Sequence, residues 1–282
     1  MERRQFGSSS RQVAEIGQGT WNIEHAAIDT AVDALRRGID LGITHIDTAE
    51  MYGSGKAERL IAKALAGRRN EIFLVSKVLP SNASRKGVVQ ACEASLARLN
   101  TDHLDCYLLH WRGSYPLRET VAAFEQLIRD GKILSWGVSN FDVDDLEEVY
   151  SLSSSYPPAC NQVLYHLEER AIEHAVLPWC STHGMAVVAY SPFGSESGFP
   201  APRSAGGRVL QQIADLRGAT PRQVALRFLL RNSSVFAIPK ASTSEHVIDN
   251  AKAGELVLSS AEVAQIDRAF PLGRPPRSLP MI

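Results

Sequence analysis

A (β/α)8 TIM barrel is the fold class that the sequence predicts, and three observations predict it. Eight short apolar runs alternate with amphipathic stretches from Val13 almost to the end of the 282 residues. Several of these runs are apolar on consecutive residues, as parallel strands covered on both faces should be. Three of them end in an ionisable residue, Asp47, Lys77 or His110, and in a barrel all parallel strands end on one face. A doubly wound open sheet shares the alternation and is the runner-up.

The elements follow in order. An opening strand is expected within Val13 to Gly19, followed by strands at Ile43–Asp47, Ile72–Lys77, Leu104–Leu109 and Ile133–Val138. The later ones are Ala159–Val163, Ala186–Tyr190 and Val235–Ile238. Between them Val89, Cys92, Leu96 and Leu99 make one helical stripe, and Val121, Phe124, Leu127 and Ile128 another. Asp142–Tyr150, Ile172–Cys180 and Val224–Leu230 continue the pattern. Thr220-Pro221 marks a helix entrance, and a further helix begins near Ser244. Gly194 to Gly207, rich in Gly, Ser and Pro, reads as a loop at the strand-end face. The tail beyond Phe270, with Pro271, Pro275, Pro276 and Pro280, cannot be a long helix. No linker divides the chain, so one domain over 1–282 is expected.

Composition narrows the function classes. Lys and Arg total 30 against 31 Asp and Glu, a net charge of −1, which argues against a nucleic-acid-binding or anionic-membrane surface. Hydrophobic residues at 44% and charged residues at 22% are globular values. Cys92, Cys106, Cys160 and Cys180 form no C-x-x-C pair and read as reduced, mostly buried thiols. The opening residues Met1 to Gly7 carry no apolar signal core, and the longest apolar runs are strand-sized. A cytoplasmic monomer is the expectation.

Each strand-end residue has an ordinary explanation by itself: Asp47 as a helix cap, Lys77 as a solvated end, His110 as a satisfied core histidine. Tyr52, in the loop after Asp47, is by itself a loop aromatic. The four together are harder to dismiss, because a buried charge costs several kcal/mol unless paired. Their chemistry is coherent. A free phenol has a pKa of about 10, and a neighbouring ammonium favours its ionised form, lowering that pKa toward the working range. Asp47 would hold Lys77 charged, and His110 could donate to a substrate carbonyl oxygen. Such a site suits carbonyl reduction by an incoming hydride, which requires a cofactor. No Rossmann signature is present: Gly17-Gln18-Gly19-Thr20-Trp21-Asn22 lacks the third glycine and reads as a tight strand-end turn. The late strand ends, Ser139-Asn140, Asn161-Gln162, Tyr190-Ser191-Pro192 and Ile238-Pro239-Lys240, offer an alternative cofactor site.

Here a family becomes recognisable. Asp47, Tyr52, Lys77 and His110, in the contexts Ile46-Asp47-Thr48-Ala49, Tyr52-Gly53, Ser76-Lys77 and Leu109-His110-Trp111, resemble the aldo-keto reductase tetrad. The likeness continues through Gly137-Val138-Ser139-Asn140-Phe141, Asn161-Gln162-Val163, Ala189-Tyr190-Ser191-Pro192, Ile238-Pro239-Lys240 and Asn250. It is similar to the shorter bacterial-type members. The resemblance implies NADPH-dependent reduction of aldehydes and ketones, with small aldehydes or α-dicarbonyls such as methylglyoxal as substrates. Tyr52 would be the general acid, tuned by Lys77 and Asp47, with His110 orienting the carbonyl. Ser139, Asn140 and Gln162 would grip the nicotinamide carboxamide, and Tyr190 would stack on its ring. Gly19, Thr20, Trp21, Ser191 and Pro192 would complete that end. Lys240, Ser242, Thr243, His246 and Asn250 would serve the adenosine phosphate. Trp21 and Trp111 would wall the substrate pocket, and the short tail would leave it open. Two departures stand out. His246 occupies the place of a frequent arginine, which implies only a modest preference for NADPH over NADH. Arg112 follows Trp111 where proline is common.

Rival motifs fail on inspection. Tyr52-Gly53-Ser54-Gly55-Lys56 fits a Y-x-x-x-K pair, yet two glycines make the helix that pair needs unfavourable. Gly53-Ser54-Gly55-Lys56 mimics a phosphate loop without its flanking residues. Cys180 and His183 lack a second metal-ligating pair, and no metal is expected. Asn82-Ala83-Ser84 and Asn232-Ser233-Ser234 matter only in a secreted protein. A non-catalytic NADP(H)-sensing or channel-associated subunit on the same barrel is the rival function.

Overall fold

The computed structural model describes residues 1–153, 155–194 and 198–282. A hairpin comes first: β1 (Arg3–Gln5) pairs antiparallel with β2 (Gln12–Ala14). Eight parallel strands follow, β3 (Gly17–Gly19), β4 (His45–Asp47), β5 (Phe73–Val78), β6 (Cys106–Leu109), β7 (Trp136–Ser139), β8 (Cys160–Leu164), β9 (Ala186–Tyr190) and β10 (Val235–Ala237). Each pairs with the next in sequence, which excludes the doubly wound alternative. The ring closes where the Ala237 amide donates to the Glu15 carbonyl (2.9 Å) and the Gly19 amide to Pro239 (3.2 Å). The expected opening strand therefore splits, its first half joining the hairpin and its second half the barrel.

Among the described residues, ten α-helices surround the barrel. The predicted stripes become α3 (Arg85–Leu99) and α4 (Leu117–Arg129), and Asp142 caps α5 (Val143–Leu152). The stretch from Ile172 forms a short 3-10 turn and then α6 (Val176–Thr182). Thr220 accepts the Gln223 amide in a capping box that opens α8 (Pro221–Leu229), as the Thr-Pro pair predicts. Thr243 caps α9 (Ser244–Lys252). The structure adds α1 (Ile28–Asp40), α2 (Lys56–Ala64), α7 (Ala205–Arg217) and α10 (Ser260–Ala269). In α7 it corrects one reading. The Gly-rich stretch expected to be loop through Gly207 is already helical from Ala205; part of it, 195–197, lies outside the described residues. Gly206 belongs there because a Cβ would stand 2.3 Å from the Phe270 ring.

The core has two layers. Residues that alternate outward, such as Ile46, Leu74, Val138 and Val187, pack on the helices. Those that alternate inward fill the barrel: Phe73 and Val75 of β5, Cys106 and Leu108 of β6, Cys160 of β8, Val188 of β9 and Phe236 of β10. The hairpin turn sends Phe6 into the barrel floor, its ring centroid 4.7 Å from that of Phe73 and 5.1 Å from that of Phe236. All four cysteines are free and buried. Among the described residues no helix is long and apolar enough to cross a membrane.

Candidate active site

Strand periodicity builds the site. Side chains two apart on a strand share a face. The inward set that holds Phe73 and Val75 on β5 therefore continues to Lys77, and His45 on β4 continues to Asp47. Cys106 and Leu108 lead to His110, Cys160 to Gln162, and Ala186 and Val188 to Tyr190. All of these reach the same C-terminal mouth. The expected tetrad meets there. The Lys77 ammonium donates to Asp47 Oδ1 (2.5 Å), to the Thr48 carbonyl (2.8 Å) and to the Tyr52 hydroxyl oxygen (3.3 Å). The Tyr52 and His110 rings stand edge to face, 5.8 Å between centroids.

Electrostatics follow from burial. Burial alone would neutralise Lys77, but Asp47 and Tyr52 more than offset it and hold its pKa above the ordinary lysine value. Burial likewise raises the Asp47 carboxyl, against the pull of Lys77 and Gln162. Burial also raises the Tyr52 phenol, with Lys77 the largest opposing influence. This corrects the expectation of a net lowered phenol. Tyr52 rests protonated, as an acid should, and the ammonium stabilises it most once its proton has left. His110 is pushed down to about 3, by burial first and Lys77 second, so its imidazole is neutral. Its buried Nδ1 has no partner.

The expected cofactor residues surround this centre. Gln162 Nε2 donates to Asp47 Oδ2 (2.7 Å), a link the sequence did not foretell. Ser139 Oγ donates to the Gln162 carbonyl (2.8 Å), and Asn140 Nδ2 to the His110 carbonyl (3.2 Å). The Tyr190 hydroxyl donates to Asn140 Oδ1 (2.9 Å), and Thr20 Oγ1 to the Asp47 carbonyl (2.8 Å). Gly19 needs its lack of a side chain, because a Cβ would lie 2.5 Å from the Ile238 carbonyl oxygen. Ser191 adopts a left-handed backbone (φ 48°), and Pro192 behind it is buried. Trp111 stands 5.0 Å from the His110 ring, whereas Trp21 is half exposed. Arg112 turns away to pair with Asp145 and with Glu148 (2.7 Å) on α5. Lys56 opens α2 after Gly53, Ser54 and Gly55, all of positive φ, so the Y-x-x-x-K helix does not form.

The family pattern described as "Aldo/keto reductase family" matches residues 15–270. The chain belongs to the aldo/keto reductase family. It is 48% identical over 269 residues to "Methylglyoxal reductase YeaE" of Escherichia coli (strain K12), covering 95% of this chain and 94% of that one. It is 32% identical over 252 residues to "Glyoxal reductase" of Bacillus subtilis (strain 168), covering 89% and 87%. In structure it is similar, with a TM-score of 0.93 and 44% identity, to an aldo/keto reductase from Klebsiella pneumoniae crystallised in complex with NADP and acetate. That match covers 100% of this chain and 99% of the other.

Away from the tetrad, this aldo/keto reductase has a groove of about 730 Å³ between the starts of α8 and α9 and the chain that follows β9. His246 lines it. Lys240 stands at the end of β10 with Nζ 3.3 Å from Ser242 Oγ, Thr243 serves as the α9 cap, and Asn250 is buried. Sequence reading did not single out Phe199, Arg222 or Glu245, which share the groove with His246. A surface arginine and a loop phenylalanine carry no periodic signal. The backbone of Ile282 reaches the Tyr190 hydroxyl, whose pKa burial pushes up to about 12. The short tail thus returns to the mouth instead of leaving it clear.

Proposed function

We propose that this aldo/keto reductase reduces small aldehydes and α-dicarbonyls of the methylglyoxal kind, with NADPH preferred over NADH as hydride donor. The observation that carries the reading is Lys77, buried, bonded at once to Asp47 and to Tyr52. Ordinary packing has no use for a buried ammonium on a phenol; proton donation does. The methylglyoxal and glyoxal reductases among its relatives support the substrate class, and the Klebsiella complex supports the cofactor.

The residues present fit a dinucleotide. The unpartnered His110 Nδ1, the polar row of Ser139, Asn140 and Gln162, and Tyr190 beside them suit a nicotinamide. The groove at His246 suits an adenosine end. When bound, the dinucleotide supplies the hydride. Neutral His110 donates a hydrogen bond to the carbonyl oxygen and orients it. The Tyr52 hydroxyl gives its proton to that oxygen as negative charge develops, and the remaining phenolate is stabilised by the Lys77 ammonium. Asp47, held by Gln162, keeps that ammonium charged and aimed. Trp21 and Trp111 flank a small carbonyl compound.

Tyr52→Phe tests the assignment, by methylglyoxal-dependent NADPH oxidation alongside the NADPH dissociation constant. We expect kcat to fall by about 10² to 10⁴ with cofactor affinity little changed. Near-normal turnover by the variant would remove Tyr52 from the role. No turnover by the unsubstituted chain would favour the cofactor-sensing alternative.

A further inference from the structure

We infer that Arg222 reads the adenosine phosphate that distinguishes NADPH from NADH. The inference rests on the cofactor reading above and adds to it a residue that neither strand ends nor motifs pointed to. Arg222, in the first turn of α8, lines the same groove as His246 of α9. Its guanidinium carbon lies 5.0 Å from the ring centroid of Phe193 and 5.0 Å from that of Phe199. The two rings stand edge to face, 6.1 Å apart.

Three features suit this arginine to a phosphate. Arg4, Arg68, Arg98, Arg112, Arg217 and Arg227 all pair with carboxylates, whereas among the described residues Arg222 pairs with none. Among the described residues no acceptor takes a hydrogen bond from its guanidinium, and that planar fork of N–H donors is the part that grips a phosphate. The aromatic contacts also restrict a side chain that would otherwise lose much rotamer freedom on binding.

Position supports the same conclusion. Phe193 follows β9 at the same strand-end face as Tyr190, and its ring meets that of Phe199 in the groove wall, so a dinucleotide whose nicotinamide lies by Tyr190 has the groove on its own face of the barrel. The acidic groups there are Glu245 and Asp249, and the Asp249 carboxylate is already engaged by Gln223 Nε2 (2.7 Å) and Thr220 Oγ1 (3.2 Å). His246 adds a ring that can stack or, when protonated, a charge. With Arg222, the groove has the forked cation that position 246 lacks.

A clasp that merely holds the loop would predict something else, and cofactor titrations separate the two. Dissociation constants for NADPH and NADH are measured by protein fluorescence on the unsubstituted chain, Arg222→Leu and Arg222→Lys, with thermal midpoints to confirm folding. The expected result is a fall in the NADPH-over-NADH affinity ratio of roughly tenfold to a hundredfold in Arg222→Leu. Arg222→Lys should retain part of the preference, because charge survives while the fork does not. An unchanged ratio, whether both cofactors weaken together or neither does, would overturn the assignment and leave the cofactor reading standing. Failure of the unsubstituted chain to bind either cofactor would overturn both.

Discussion

The floor and the mouth of the barrel are built on the same strands with opposite results. His45 and Asp47 lie two apart on β4 and face the same interior. At the floor His45 sits among Phe6, Phe73 and Phe236, with neither ring nitrogen hydrogen-bonded. At the mouth, Asp47 has Lys77 on one oxygen and Gln162 on the other. Both ends hold a neutral histidine with a pKa near 3, His45 and His110, each lowered first by burial and then by Lys77. A polar group at the floor can be replaced by apolar volume, because it has no partner to orphan. Asp47 and Lys77 at the mouth cannot, because each is the other's counter-charge.

The largest effect expected from breaking this contrast is at Lys77. Lys77→Met strands a buried carboxylate at Asp47 and should cost about 3–5 kcal/mol of stability. Carbonyl turnover should be lost with it. Adding Asp47→Asn should recover part of the stability and none of the turnover. Urea unfolding and turnover measurements on both variants check this; a double variant no more stable than the single would refute the pairing argument.

A smaller and pH-dependent effect is expected at the floor. His45 has a folded pKa of about 3 against 6.5 for a free imidazole. Above the unfolded value both states are neutral and stability is full. As pH falls below it, the unfolded chain binds a proton that the folded chain refuses. Stability then declines by about 1.4 kcal/mol per pH unit until the pH nears the folded value. His45→Leu should therefore lose about 2 kcal/mol less than the unsubstituted chain between pH 7.5 and pH 5, with turnover at neutral pH retained. Identical pH slopes for the two proteins would show that His45 is not the acid-sensitive group.

The smallest effect lies outside both regions. Thr220→Ala removes the cap of α8 and the hydroxyl contact to Asp249, at a cost of about 1 kcal/mol. Thermal unfolding reads it directly. A loss as large as that of Lys77→Met would mean that the groove, not the mouth, dominates stability.

Much of this molecule was legible in its residues because hydrophobic periodicity is a local property. The eight strands, the capped helix at Thr220, and Asp47, Lys77 and His110 at strand ends all follow from neighbours along the chain. The hairpin escaped because its first strand, Arg3–Gln5, carries no apolar residue and its anchor, Phe6, acts through rings far away in sequence. Helix α7 escaped because Gly206 resembles a loop residue until Phe270 is placed against it. Gln162 on Asp47, Tyr190 on Asn140 and Arg222 against two phenyl rings share the same cause. The residue types that can fill a strand or cap a helix are dictated by the sequence itself. Which side chains meet across the barrel was decided only by its closure, because strand register and inward parity set those distances, and neither is a property of any one segment.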